Sequence, residues 1–353
     1  MNAKRVTIAS IAESAGVSLA TVSKVLNGRD EVAPNTRKQV QALLDKSGYQ
    51  RRRGTEAKKR IGLIDFVING FETAWAAELL RGAEAEAYRH RSRLILTVTH
   101  DQFKHPRDWT KSFASQRTDG VVLVTSRVYE GIVERLRSLN IPLVIVDPVG
   151  GFGPDVHRIG ATNFSGGFAA TEHLIELGHR KIAVIGGPAD MLCSEERIAG
   201  YRAALDRYGI PVVNDYIKFG DFYTGGGRKG AAALLQLEDR PTAIFAGADQ
   251  QARGVYDVAE ERGLRIPEDL SVIGFDDVEV CEWMSPRLTT IRQPLAQMAA
   301  LAIRTVLQSP ETFEDQPTRI EMATSLVKRD STTTPPARIK PAKAARRAAR
   351  GAT

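Results

Sequence analysis

The chain runs to 353 residues, 42% hydrophobic and 26% charged, which fits two or three globular domains and excludes a mostly disordered or collagen-like chain. No apolar run nears the ~20 residues of a membrane span, residues 1–17 lack the apolar core of a secretory signal, and Cys193 and Cys281 give neither a disulfide framework nor a metal spacing; a reduced, cytoplasmic setting with buried, inert thiols is expected. The net charge of +7 divides into +8 over residues 1–60, −7 over 61–330 and +6 over 331–353, which points to a polyanion partner at the ends and not at the body.

From the start of the chain, Thr7 can cap a first helix that places Ile8, Ile11, Ala12 and Ala15 on one face. Gly16 supplies the tight turn that follows. Ser18 can cap a second helix with Val22, Val25 and Leu26 inward, ended by Asn27-Gly28. Pro34 suits the first turn of a third helix whose inner face is Val40, Leu43 and Leu44. Three short helices with a glycine turn between the first two predict an all-α helix-turn-helix head over residues 1–50. The pattern alone also fits a generic small helical bundle.

The run VTIASIAESAGVSLATVSKVLNGRDEVAPNTRKQV resembles the LacI/GalR family of bacterial transcription regulators throughout. The resemblance implies a second helix in the major groove, with Leu19, Ala20 and Lys24 at the positions that read base edges. Lys24 can donate to guanine, whereas Leu19 and Ala20 offer only apolar contact, for instance to thymine methyls. Thr7, Ser18, Thr21, Ser23, Asn27 and Thr36 match phosphate-contacting positions. For Ser18 a plain N-cap is an alternative that can coexist. The family usually continues into a short hinge helix whose leucine wedges into the minor groove. Here residues 51–60 read RRRGTEAKKR, basic and without leucine, so a truncated hinge is expected. Arg51, Arg52 and Arg53 can lie along a narrow minor groove, or they can form a solvated linker that touches phosphates only.

Residues 61–330 alternate short β-rich runs with amphipathic segments. Strands are expected at IGLIDFVI from Ile61, LILTV from Leu94, GVVLVT from Gly120 and LVIVD from Leu143. They resume with KIAVIG from Lys181, YIKF from Tyr216, AIFAGAD from Ala243 and LSVIGFDD from Leu270. Helices fall between them, for example over 74–89 and 166–177. This alternation predicts an α/β body of two doubly wound parallel-sheet lobes, with a ligand cleft beyond the carboxyl ends of the strands.

The same resemblance continues through HLIELGHRKIAVIGG, ERIAGYRAAL, IPEDLSVIGFDD and SPRLTTIRQP. It implies a fold similar to periplasmic sugar-binding proteins, with three crossings between lobes. The first lobe would hold about 61–161 plus 294–310, the second about 163–290 plus a final strand within 318–330. It also implies effector contacts. Asp147 and Asp276 end strands, Arg197 precedes AGY, and Gln293 follows the last crossing. Trp75, Trp283 and Phe222 are aromatic candidates, with core packing as the alternative for each. Carboxylates, an arginine and aromatic faces suit a sugar or short oligosaccharide; a purine is the alternative effector. Many family members carry asparagine where Ala248 stands, so specificity should differ, with Asp249 remaining as a candidate contact.

Gly225-Gly226-Gly227-Arg228-Lys229-Gly230 fits GxGxxG, and Asp249 follows Gly230 by 19 positions. Alone this mimics a dinucleotide fingerprint and a NAD-dependent enzyme; the family alignment makes it an ordinary strand-to-helix link. No catalytic or metal-ligand pattern is evident, so neither an enzyme nor a cofactor is expected. His179 looks structural. Residues 331–353, rich in Pro, Ala and Arg, are expected to be disordered. They lack tetramer-forming leucine heptads, so the expectation is a homodimeric repressor that binds double-stranded operator DNA under control of a small-molecule effector.

Overall fold

A computed structural model describes residues 8–26, 32–46, 61–99, 118–124, 131–147, 156–308 and 318–337. The chain divides into two units, Met1–Arg60 and Ile61–Thr353. In the first unit, helices span Ile8–Ala15, Leu19–Leu26 and Pro34–Lys46. Their apolar positions converge: Ile11, Ala12, Ala15, Val22, Val25, Val40 and Leu44 form one buried core with Val32. Gly16 adopts φ +63°, a conformation that a Cβ would strain. Val17 N–H reaches back to the Ala12 carbonyl at 3.0 Å and closes the first helix. Ser18 Oγ accepts from the Thr21 N–H at 3.1 Å, so the second helix is capped as expected.

The second unit carries two sheets. The first comprises β1 (Leu63–Ile68), β2 (Arg93–Val98), β3 (Gly120–Val124), β4 (Leu143–Val146), β5 (His157–Ala161) and β11 (Arg319–Met322). Their order is β11-β5-β4-β3-β1-β2, and every pairing is parallel. The second comprises β6 (Ile182–Gly186), β7 (Ile217–Phe219), β8 (Ala243–Ala246), β9 (Ser271–Asp276), β10 (Thr289–Arg292) and β12 (Ser325–Val327), in order β12-β10-β9-β8-β6-β7. Here β12 alone runs antiparallel, against β10. The central strands β3, β4, β6, β8 and β9 are buried along their whole length. Helices on both faces of a parallel sheet demand such continuous apolar runs, and these were the strands visible in the sequence.

Helices Ala74–Arg89 and Leu295–Val306 pack on one face of the first sheet. Helices Asn163–Glu176 and Leu192–Arg207 cover one face of the second sheet, and Thr224–Leu234 and Asp249–Glu261 cover the other. The chain passes between lobes after β5, after β10 and between β11 and β12. At two of these crossings Thr162 and Thr324 meet, hydroxyl to hydroxyl, at 3.0 Å.

Two boundaries differ from expectation. A single final strand in the second lobe was expected within 318–330, but the segment divides. Arg319–Met322 pairs with β5 in the first lobe, and only Ser325–Val327 joins the second. The expected disordered tail also starts too early. Ser331 is fully buried; its hydroxyl donates to the Val272 carbonyl at 2.6 Å and accepts from the Thr289 N–H at 2.8 Å. The Thr333 carbonyl accepts from His179 Nε2 at 2.9 Å, and His179 Nδ1 lies 2.8 Å from the Thr242 hydroxyl. Residues 331–337 therefore strap the amino-terminal side of the second sheet. The remainder of the expected tail, 338–353, lies outside the described residues.

Candidate functional site

On the head, the second helix begins directly after the Ser18 cap, so its first turn carries Leu19 and Ala20. Leu19 is 57% exposed, with no apolar neighbour to explain a leucine there. Ala20 is also exposed, while Thr21, Lys24 and Thr36 are half-buried. Ser18 Oγ and Thr21 Oγ1 lie 2.9 Å apart and so share one hydrogen bond. For Ser23 only the helical backbone is described. Thr7, Asn27, Arg51, Arg52 and Arg53, with the whole of the expected hinge, lie outside the described residues.

In the body, Arg197 is the centre of the candidate cleft. It sits on helix Leu192–Arg207 and is 4% exposed. Its Nε donates to Asn163 Oδ1 at 3.0 Å and one terminal nitrogen donates to the Gly247 carbonyl at 2.5 Å. The guanidinium lies over the Phe275 ring at 3.8 Å and the Phe222 ring at 5.4 Å. These contacts fix the plane of the fork before any ligand arrives.

Asp276 ends β9 with φ +122°, and Asp277 follows at +61°. This sparsely populated backbone turns the Asp276 carboxylate to within 3.9 Å of Arg197. Asp276 is 7% exposed. Burial pushes its carboxyl well above the ordinary value, and the charges of Asp249 and Asp147 add to this, against Arg197 and Gln293. Gln293 Nε2 donates to Asp276 Oδ1 at 2.6 Å, while its buried Oε1 has no partner among the described residues. Asp147 follows β4 at φ +52°. Its carboxyl is also raised by burial, with Arg197 opposing. Asp147, Arg197, Phe222, Asp276 and Gln293 are thus brought together from both lobes and the crossings.

The remaining candidates separate. Asp249 is not at the cleft surface. It is fully buried, and its carboxylate accepts from Val278 N–H at 2.9 Å and Thr290 Oγ1 at 2.5 Å. It braces the loop after β9 and cannot reach a ligand; the strand-end position misled because the side chain turns inward. Ala248, its neighbour, is buried and offers no polar group. Trp75 packs half-buried against the first-lobe core, which is the packing alternative. Trp283 is 70% exposed on the short helix Val280–Trp283, and no contact joins it to the Arg197 group. Both cysteines are buried, and burial raises both thiols, Cys193 to about 12, as inert groups require.

The structure adds residues that sequence reasoning did not single out. Asn163, the first residue after a crossing, bridges Arg197 and Glu196, donating to Glu196 Oε2 at 3.3 Å. Glu196, Asp147, Cys193 and the Arg319–Glu321 pair line a pocket of about 340 Å³, open mouth included. The only sequence signal was adjacency of Glu196 to Arg197. The part played by Asn163 depends on the crossing geometry.

The glycine run is also explained. Asp221 Oδ1 accepts from the Gly226 and Tyr223 N–H groups at 3.2 and 3.0 Å. A carboxylate therefore occupies the helix start where a phosphate would sit. A Cβ on Gly227 would fall 2.1 Å from the Gln251 carbonyl. The glycines let two helices approach, and the acid of the fingerprint, Asp249, is the buried brace. Among the described residues no helix is long and apolar enough to cross a membrane, and no His/Cys/Asp/Glu group could hold a metal ion.

Residues 7–52 match the family described as bacterial regulatory proteins, lacI family. Residues 171–332 match a periplasmic binding protein-like domain. The chain is 33% identical over 337 residues to the HTH-type transcriptional repressor PurR of Vibrio atlanticus (strain LGP32), covering 93% of this chain and 99% of the relative. It is 32% identical to catabolite control protein A of Priestia megaterium, covering 91% and 99%. Among solved structures it is similar to a complex of the transcriptional regulator CelR with cellobiose (TM-score 0.72, 30% identity, 93% and 100% covered). It is also similar to the lac repressor dimer bound to operator and the anti-inducer ONPF (TM-score 0.69, 26% identity, 94% and 100% covered).

Proposed function

Because the chain belongs to the lacI family of bacterial regulatory proteins, we propose that it is a transcriptional repressor whose hold on operator DNA is set by a sugar or short oligosaccharide bound between the lobes of its body. Leu19, Ala20 and Lys24 meet base edges, and Ser18, Thr21, Ser23 and Thr36, with Thr7 and Asn27, meet phosphates. Two heads of a homodimer meet the two halves of a near-palindromic operator. The lac repressor neighbour, titled as an operator-bound dimer, supports that assembly.

The observation that carries the effector half is the Arg197 group. One buried guanidinium, stacked on Phe275, faces Asp276 from its own lobe and Asp147 from the other. A ligand with many hydroxyls bridges these groups only when the lobes are held together. That differential contact is what biases a two-lobe equilibrium and, through it, DNA affinity. The CelR–cellobiose neighbour supports a sugar. The identity to PurR favours a purine as the second reading. The carboxylates weigh against it, because two aspartates offer acceptors to hydroxyls more readily than they match a ring with its own acceptors.

The test starts by selecting operators from genomic fragments with the full-length protein. Sugars, short oligosaccharides and purines are then titrated against operator affinity. One sugar should change that affinity by about 5–150-fold, and Arg197→Ala should erase the change. A response to purines alone would sink the sugar reading.

A further inference from the structure

Charge is out of balance where Arg197 meets the first lobe. Asp147 and Glu196 line one pocket, and no hydrogen bond to the Asp147 carboxylate is present among the described residues. Burial raises the Glu196 carboxyl, and the charges of Glu321 and Asp147 raise it further against Asn163 and Arg319. Asn163 answers Glu196 with one amide hydrogen at 3.3 Å, and its carboxamide also serves Arg197 and the Ala161 carbonyl. Arg197 cannot serve every carboxylate, since Nε and a terminal nitrogen are already bound to Asn163 and Gly247. Arg319 is spent on Glu321 at 2.6 Å, and Arg158 is itself engaged.

An independent observation shows that a ligand must bring donors. Gln293 is 4% exposed and gives its amide hydrogen to Asp276, so its buried Oε1 is an unmet acceptor in the same group. An unmet buried acceptor is costly until something donates to it. A phosphorylated ligand would bring acceptors and a further negative charge to a group already rich in both.

We propose that the effector is a hydroxylated ring bearing a protonated amine, with the ammonium held between Asp147 and Glu196 and the hydroxyls turned to Asp276, Arg197 and Gln293. This inference rests on the cleft being the effector site. An ammonium supplies three donors and the missing positive charge at once. Neutral hydroxyls would leave Asp147 and Glu196 opposed across the pocket without compensation.

The test is calorimetric titration of the full-length protein at about pH 6.5. The probes are glucose, galactose and mannose, their 2-amino counterparts and the N-acetylated forms. At least one amino sugar should bind about tenfold more tightly than its neutral parent, in proportion to the desolvation of the carboxylates. Glu196→Gln, which keeps the shape of the side chain, should bring that ratio to within about twofold. In the native protein the ratio should also fall towards one as pH rises past the titration of the sugar amine, ~8 for an ordinary α-amine. A neutral parent or N-acetyl form that binds as well as the amine overturns the proposal, as does a ratio that survives Glu196→Gln. If neutral sugars bind and Arg197→Ala abolishes their binding, the cleft reading stands while the amine is wrong. If no sugar binds and none alters operator affinity, both fall.

Discussion

At the scale of single residues, Asp249 shows how a carboxylate can be essential without touching a ligand. Its carboxyl is raised to about 6, chiefly by burial, against Thr290, Cys281 and Val278. Below about pH 4 the proton is bound in both folded and unfolded chains. As pH rises through about 6, the folded protein must also surrender a proton that the unfolded chain lost near 3.8, so stability falls across that window. Asp249→Asn should remove a share of this slope, of order 2–3 kcal/mol, read as the pH dependence of the unfolding midpoint. The amide can keep both contacts, accepting from Val278 and donating to Thr290. Asp147 and Asp276 are raised in the same sense, so a residual slope should persist. A slope identical in the two proteins would show that Asp249 keeps its charge when folded. In the sequence, Asp147, Asp249 and Asp276 look alike, each an acid just after an apolar strand. What separates them is the direction in which the chain leaves that strand. Asp147 and Asp276 adopt positive φ and face the cleft, while Asp249 starts a helix and faces the core. No residue pattern encodes that difference. Asn163 and Glu196 were invisible for a related reason, since their partners come together only at a crossing.

At the scale of elements, the fully buried strands were legible because both faces need apolar residues. β5 and β10 were not, since HRIGA and TTIR carry polar side chains whose partners are remote. His157 pairs with Thr318, Thr289 with Ser331. The division of the final segment into β11 and β12 was likewise hidden, because Thr324 marks the crossing only through its contact with Thr162. The glycine run makes a sharper test. Gly227→Ala should cost about 1–3 kcal/mol of stability, because its Cβ would meet backbone of the neighbouring helix. Gly225→Ala, with open space around it, should instead gain about 0.5–1 kcal/mol from helix propensity. Equal effects at the two positions would mean that the helices do not approach this closely. The basic run after the head can be tested in the same spirit. If Arg51 to Arg53 read a narrow minor groove, replacing all three with alanine should change which operators are preferred. If they only touch phosphates, overall affinity and its salt dependence should fall together, with the preference intact.

At the scale of the whole molecule, the end of the body is the part most misjudged from composition. Pro, Thr and Ser suggested a solvated tail, yet Ser331 and Thr333 fill hydrogen bonds that the second sheet otherwise lacks. Ending the chain at residue 330 should lower the unfolding midpoint steeply, because the Val272 and Thr289 N–H groups lose their acceptors inside the protein. Each such loss costs about 1–3 kcal/mol. Ending it at 337 should leave the midpoint unchanged. Similar midpoints for both truncations would show that the strap contributes little.

The strap and the two last strands also order events during synthesis. β11 is an edge strand of the first sheet, β12 an edge strand of the second, and Ser331 closes the second from below. Neither lobe can be completed until almost the entire chain has left the ribosome. The three helices of the head need nothing beyond residue 46 to form their core. At ordinary translation rates the interval between the two is roughly 15–60 s. In every newly made molecule the part that reads DNA is therefore finished well before the part that listens for the effector exists.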